Sequence, residues 1–142
     1  MATAYPVAVI GSHPIHGLLS AFPLAFFTGA FVTDIIYANS AQMQWANFSV
    51  WLITGGLLMG VFAAIAGAVD AWASRGRVGR RRRPLLNSLG TGLMMILALV
   101  NAFVHSRDAW TSVVPTGIVL SAIVALLAIV TSWQGYRLQE VR

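Results

Sequence analysis

Cysteine and lysine are both missing from this chain of 142 residues. Without cysteine the chain can form no disulfide, bind no iron–sulfur cluster through its own thiolates and perform no thiolate chemistry. Without lysine it can form no Schiff base with a carbonyl substrate. Charge is also scarce, because only 9% of the residues are charged, whereas a soluble domain has about 25%. With 58% hydrophobic residues, the composition predicts a protein whose solvent is lipid.

Four long apolar segments follow one another along the chain. A helix that crosses the hydrocarbon core of a bilayer needs about 20 mainly apolar residues. Segments that satisfy this requirement cover 17–38, 47–73, 84–105 and 113–136. Their apolar character is continuous and does not alternate as the strands of a membrane barrel require. The sequence therefore predicts an all-α fold, an integral-membrane four-helix bundle that forms a single domain over residues 1–142.

Short similarities between the two halves of the chain also suggest a tandem repeat of two helix pairs. Residues 13–15 (HPI) precede the first pair, and residues 83–85 (RPL) precede the second. Two helices per unit would place the halves parallel to each other.

Most of the positive charge lies in one loop, between the second and third segments. Its arginines are Arg75, Arg77, Arg80, Arg81, Arg82 and Arg83. Arginine in short loops is retained on the cytoplasmic side, so these arginines predict that the loop itself and both termini lie in the cytoplasm. The net charge of +5 lies beside apolar helices and not along a solvated face. We therefore expect anionic lipid headgroups as its partner, and no nucleic acid.

Small and polar residues recur at spacings of three and four on each predicted helix, which places them on one face. Lipid gives helices no hydrophobic reason to associate, so such faces are expected to pack against each other or against a second copy of the chain. The predicted packing residues are Gly56, Gly60, Gly67, Pro23, Asn87 and Asn101. Pro23 is also expected to kink the first helix, because it frees one backbone carbonyl.

The few ionisable residues in the spans all lie near helix ends. Asp34 and His105 share the predicted outer end, and His13, His16 and Asp70 share the inner end. An Asp–His pair at either end can bind a proton near neutral pH. The alternative is that these residues only hydrogen-bond and orient the helices at the interface. The candidate cofactor-binding residues are His13, His16, Asp70 and His105.

Histidines at the ends of a membrane bundle also raise the question of haem b. Bis-His ligation needs imidazoles on opposite sides of one porphyrin. His13 and His16 share one side, and about 18 residues, or roughly 27 Å of helix, separate them in height from His105. A bis-His haem within one chain is therefore disfavoured. Single-His ligation, a site shared with a partner, and a bound quinone remain open, and so does a histidine paired with Met94, Met95 or Met59. A metal site would lack ligands.

The most specific string of the chain is residues 13–23, which reads HPxHxxLxxFP. It resembles the opening of a bacterial four-helix membrane family catalogued as domain of unknown function 2231. Asp70, Asn87 and residues 133–135 (WQG) are also similar to that family. The resemblance covers nearly the whole chain, and it implies an inner-membrane module with no established biochemical activity. It further implies an association with redox proteins, including Rieske-type and quinoprotein dehydrogenase partners.

The residues that carry over from the family are His13, His16, Pro23, Asp70 and Asn87. Many relatives have a further histidine at the start of the third helix, where this chain has only the arginines. That difference argues against a haem or metal role here.

Three functions compete at this point. The first is a small subunit or anchor of a redox-linked assembly, with electron transfer or a quinone near the His13, His16 and Asp70 end. The second is a structural or assembly subunit without a cofactor, and the third is a small oligomeric transporter or channel. An enzyme with its own active site is not expected, because no nucleophile–base pair, metal cluster or phosphate loop is visible.

Overall fold

The computed structural model describes residues 14–73 and 85–140, and four long α-helices account for nearly all of them. They are α1 (Pro14–Ser40), α2 (Met43–Ala73), α3 (Leu85–His105) and α4 (Thr116–Glu140), and a short 3-10 helix, Ala109–Ser112, precedes α4. Each of the four helices is long and apolar enough to cross a membrane. The predicted all-α, four-helix membrane fold is therefore confirmed.

The helix boundaries differ from the predicted apolar spans by a few residues. Both α1 and α2 begin three or four residues earlier than their spans, α1 at Pro14 and α2 at Met43. The fourth helix begins at Thr116 and not at residue 113. Pro115 precedes it, and proline, which has no backbone N–H and a fixed φ, is favoured at the start of a helix. Pro23 is buried inside α1, which continues through it as a single helix.

The helices pack around the bundle in chain order. The most extensive contact joins α1 to α2, and α4 contacts both α1 and α3. The contact between α2 and α3 is the smallest of these neighbouring pairs, whereas α1 and α3 barely contact each other. Consequently α1 and α3 occupy opposite corners of the bundle.

Two apolar clusters form the interior. The larger cluster joins α1, α3 and α4, and its buried members are Phe27, Met94, Ala98, Val124 and Ala128. The smaller cluster lies near the start of α2, and its buried members are Tyr37, Ala46 and Val113. Many large apolar side chains point outward instead, as the 69% exposed fraction of Trp51 illustrates. In a bilayer these side chains contact lipid, so packing and hydrogen bonding must supply the cohesion between helices.

Glycines allow α2 to approach its neighbours closely. A Cβ atom added to Gly56 would lie 2.5 Å from the ring of Phe27, and one added to Gly60 would lie 2.6 Å from Met95. A Cβ atom on Gly67 would lie 3.2 Å from the imidazole of His16. These distances place the three glycines at close helix contacts.

We expect Gly56→Ala to lower the free energy of unfolding by about 1–2 kcal/mol. The added methyl group would overlap the ring of Phe27, which is only 1% exposed and has no free space to move into. Thermal unfolding in detergent, followed by tryptophan fluorescence, measures the effect. Gly92→Ala is the matched control, because a Cβ atom there meets nothing within 4 Å. An equal effect of the two substitutions would contradict the predicted overlap.

The end of α1 is strained at one residue. Ala41 has a φ of 53°, and its N–H donates to the carbonyl of Tyr37 over 2.8 Å. A left-handed residue just after a helix is usually glycine, because a Cβ atom is unfavourable there. We expect Ala41→Gly to raise the free energy of unfolding by about 0.5–1 kcal/mol. Ala38→Gly, inside the helix, should lower it by about 1 kcal/mol. The same unfolding measurement compares the two variants, and a loss of stability in both would exclude strain at Ala41.

Candidate functional site

A polar cluster lies inside the bundle toward the end at which α3 terminates. It consists of Asp34 on α1, Asn101 and His105 on α3, and Ser121 on α4, and each residue is at most 4% exposed. We call these four residues the polar cluster. Ionisable side chains inside a membrane protein are costly and mark candidate functional sites.

Hydrogen bonds connect all four members of the polar cluster. The Nε2 atom of His105 lies 3.0 Å from Oδ1 of Asp34, and the Ser121 hydroxyl donates to Oδ2 of the same carboxyl group. The Nδ2 atom of Asn101 donates to the Ser121 oxygen over 2.8 Å. The Nδ1 atom of His105 donates to the backbone carbonyl of Asn101 over 3.0 Å. The bonds thus join α1 to α3 across the diagonal of the bundle, and α4 completes the connection.

Helical spacing explains how the cluster is assembled. Asp34 lies on the same buried face of α1 as Phe27 and Tyr37, and Asn101 and His105 are one turn apart on α3. The cluster therefore lies along the bundle between the two apolar clusters. The sequence placed Asp34 and His105 at the same end, and the structure brings them into direct contact.

Gly117 on α4 makes room for the imidazole of His105. A Cβ atom at this position would lie 2.8 Å from Cε1 of His105 and 2.6 Å from the backbone oxygen of Ser112. Only a residue without a side chain allows α4 to approach this closely.

A crevice of about 300 Å³ opens beside His105. Its lining combines the first turns of α2 with the connection after α3, and it includes the polar residues Gln44, Asn47, Arg107 and Ser112. Tyr37 and Trp110 lie at the same end, with ring centroids 5.6 Å apart. Tyrosine and tryptophan concentrate at membrane–water interfaces, so the crevice opens near the surface of the bilayer.

The opposite end of the bundle holds the other predicted site residues. His16 is half-buried, and its Nδ1 atom donates to the carbonyl of Ala63 on α2 over 2.8 Å. Asp70 is half-buried near the end of α2. The pairing of these two residues stays a prediction. Asn87 is buried on α3, and its Oδ1 atom has no hydrogen-bond partner among the described residues.

Some predicted residues lie outside the described residues. They are His13 and the loop arginines Arg75, Arg77, Arg80, Arg81, Arg82 and Arg83.

The hydrogen bonds of His105 limit what it could bind. Both of its ring nitrogens contact protein atoms at 3.0 Å, so ligation of haem iron would require one of these bonds to break. His16 has one ring nitrogen in a bond to the backbone. Within residues 14–73 and 85–140, no three His, Asp or Glu side chains are grouped so that they could hold a metal ion.

Sequence reasoning did not single out Ser121 or Gly117 as site residues. Both belonged to the small-residue face of the fourth helix, where a serine or a glycine usually serves packing. The spacing of four residues between Gly117 and Ser121 was the signal available in the sequence. It places the two residues one turn apart on the same face of α4, which is the face that meets His105. Asn101, predicted as a packing residue, is buried in the same network, and its Oδ1 atom has no hydrogen-bond partner among the described residues.

The fold and the polar cluster define an integral-membrane four-helix protein that keeps its ionisable groups inside the bundle. The family model DUF2231, described as "Predicted membrane protein", matches residues 12–141. The chain belongs to this family, as its opening motif suggested. Comparison with curated proteins finds no match. Comparison with solved structures also finds none.

Proposed function

We propose that this chain is a small subunit or anchor of a redox-linked assembly in the bacterial inner membrane. The observation that supports this role is the distribution of its side chains. The outer surface of the described helices is apolar, with Trp51, Leu86 and Trp133 about two-thirds exposed, whereas the polar cluster is enclosed. Such a protein can fix a partner in the bilayer while it contributes little soluble structure of its own.

The redox link rests on the resemblance of the opening motif to proteins associated with Rieske-type and quinoprotein dehydrogenase partners. The sequence predicts a quinone near the His13, His16 and Asp70 end. Within this proposal, the crevice beside His105 is a second place that would suit its headgroup. The crevice supplies hydrogen-bonding side chains from Gln44 and Asn47 together with the apolar Met43 and Val50. A ring with polar substituents and an apolar tail needs this mixture.

A structural or assembly subunit without a cofactor is the second candidate. The bonds of His105 favour it, because both ring nitrogens already have protein partners.

A transporter or channel is less well supported. Transporters bind substrate near the membrane midplane at discontinuous helices. Here the polar cluster lies near one end of the bundle, and all four helices are continuous.

Co-purification in a mild detergent, combined with absorption spectra of the oxidised and dithionite-reduced sample, tests the proposal. We expect a dehydrogenase or cytochrome to accompany the tagged chain, and the isolated chain to have no reduced α-band. A complex without any redox protein would favour the assembly subunit. Ion or proton flux in liposomes that contain only this chain would favour the transporter.

The predicted orientation can be tested separately, because the chain has no native cysteine. Single cysteines at Ser106, in the connection after α3, and at Gly79, in the arginine loop, give a matched pair. A membrane-impermeant maleimide added to intact spheroplasts should label Ser106→Cys and not Gly79→Cys. The reverse pattern would contradict cytoplasmic termini.

A further inference from the structure

The polar cluster has more hydrogen-bonding specificity than the anchor role requires. A bundle can be held together by small residues and by hydroxyl groups bonded to backbone, as Thr28 is bonded to Leu24. A carboxyl group and an imidazole buried in contact are more costly than these alternatives. The positions that the hydrogen atoms must take indicate a function for the polar cluster.

Three of the four hydrogen bonds have a fixed direction. A backbone carbonyl only accepts, so the Nδ1 atom of His105 carries a hydrogen for the oxygen of Asn101. The amide of Asn101 donates to Ser121, whose single hydroxyl hydrogen is then directed to Oδ2 of Asp34. Oδ2 is therefore an acceptor.

The remaining contact joins Nε2 of His105 to Oδ1 of Asp34 over 3.0 Å, and it needs one hydrogen. That hydrogen lies either on Nε2, which gives an imidazolium and a carboxylate, or on Oδ1, which gives a neutral pair. Without it, two acceptors would face each other, and with two hydrogens, two donors would do so. The observed geometry therefore matches one dissociable proton, shared by the two residues.

The crevice is the opening through which this proton would exchange with water. The side chains of Asp34 and His105 are both 0% exposed, and His105 lies in the wall of the crevice beside Gln44 and Asn47. The ionisable groups at this end are Arg107, which lines the crevice, the exposed Asp108 and the buried Tyr37. The first two turns of α2 and of α4 contain no ionisable side chain. Proton exchange at the cluster is thus expected to depend on His105 and Asp34 and on few neighbours.

We propose that Asp34 and His105, supported by Ser121 and Asn101, form a proton-binding site that holds one proton and exchanges it with water in the crevice. Loss or gain of a proton removes the hydrogen bond that joins α1 to α3. Proton occupancy therefore controls the packing of these two helices at this end of the bundle.

The test uses the full chain in detergent or nanodiscs, with ¹⁵N-labelled histidine and NMR spectra recorded over a range of pH. His105→Gln assigns the His105 signals. In the unmodified chain, we expect Nδ1 to keep its hydrogen at neutral pH and the Nε2 signal to change reversibly with pH. A His105 with hydrogen on Nε2 alone, or with no response to pH, would overturn the proposal.

Asp34→Asn is the decisive variant, because it preserves the shape and the hydrogen bonds of the site. Its amide nitrogen can donate to Nε2 of His105, and its oxygen can accept from Ser121. It has no dissociable proton, so His105 should be fixed as the Nδ1–H tautomer with an Nε2 signal that is constant over the range in which the unmodified chain responds. An unchanged titration in Asp34→Asn would show that His105 titrates alone and would refute the shared proton.

Two further variants test specificity and access. His16→Gln removes a histidine at the other end of the bundle and should leave the His105 titration unchanged. Asn47→Leu places an apolar side chain in the wall of the crevice and should slow exchange of the His105 ring hydrogen with water at least several-fold. A changed His105 response in His16→Gln would contradict a local site. Unchanged exchange in Asn47→Leu would contradict the route through the crevice.

Discussion

Replacing Asp34 by alanine is expected to lower the free energy of unfolding by about 3–5 kcal/mol, the usual cost of removing one partner from a buried charged pair. Asp34 is 0% exposed and bonds His105 and Ser121, so the substitution leaves both of them without their acceptor inside the bundle. For a protein of this size the loss corresponds to a fall of about 10–17 °C in melting temperature. The five tryptophans provide the fluorescence signal for thermal unfolding in detergent.

Two control variants show whether the effect arises from the cluster. Asp34→Asn retains a donor and an acceptor in the same positions and should cost only about 1 kcal/mol. Asp108→Ala removes an exposed carboxylate that makes no capping bond to the 3-10 helix, and it should change stability by less than about 0.5 kcal/mol. If Asp34→Ala were as stable as Asp108→Ala, the cluster would not hold the helices together.

Gly117→Ala is expected to have the next largest effect, a loss of about 2–3 kcal/mol. The new methyl group would overlap the backbone oxygen of Ser112 at 2.6 Å and the imidazole of His105 at 2.8 Å. The backbone oxygen belongs to the connection that leads into α4 and cannot turn aside as a side chain can. The helix must therefore shift, and His105 must shift with it.

Thermal unfolding measures the loss, and the ¹⁵N spectrum of His105 reports the displacement. Gly135→Ala lies on the same helix, where a Cβ atom meets nothing within 4 Å, and it should change neither measurement. A stable Gly117→Ala with an unaltered His105 spectrum would contradict the close approach of α4.

The proton site and the anchor role can be separated by experiment. Asp34→Asn should abolish the shared proton while the chain still folds and still accompanies its partner. If no partner accompanied the unmodified chain, the anchor role would be refuted, and the proton measurements would still stand. Each proposal can therefore fail without the other.

The sequence by itself determined the class of the protein, because hydropathy is a local property of the chain. Continuous apolar segments such as 47–73 predict membrane helices whatever their neighbours are, since a helix satisfies its own backbone in lipid. The order of the spans also placed Asp34 and His105 at the same end of the bundle. Successive helices run in opposite directions, so the first and third helices end on the same side of the membrane.

The tertiary structure decided which side chains meet. The rotation and depth of each helix depend on packing against the others, and the spacing of polar residues does not fix them. Sequence reasoning could not show that His105 bonds the backbone of Asn101, and this bond fixes its tautomer. Nor could it distinguish Ser121, which bonds Asp34, from Ser20, which bonds its own helix. Both serines lie on small-residue faces. Ser121 becomes part of the site only because Gly117 allows α4 to approach Asp34 and His105.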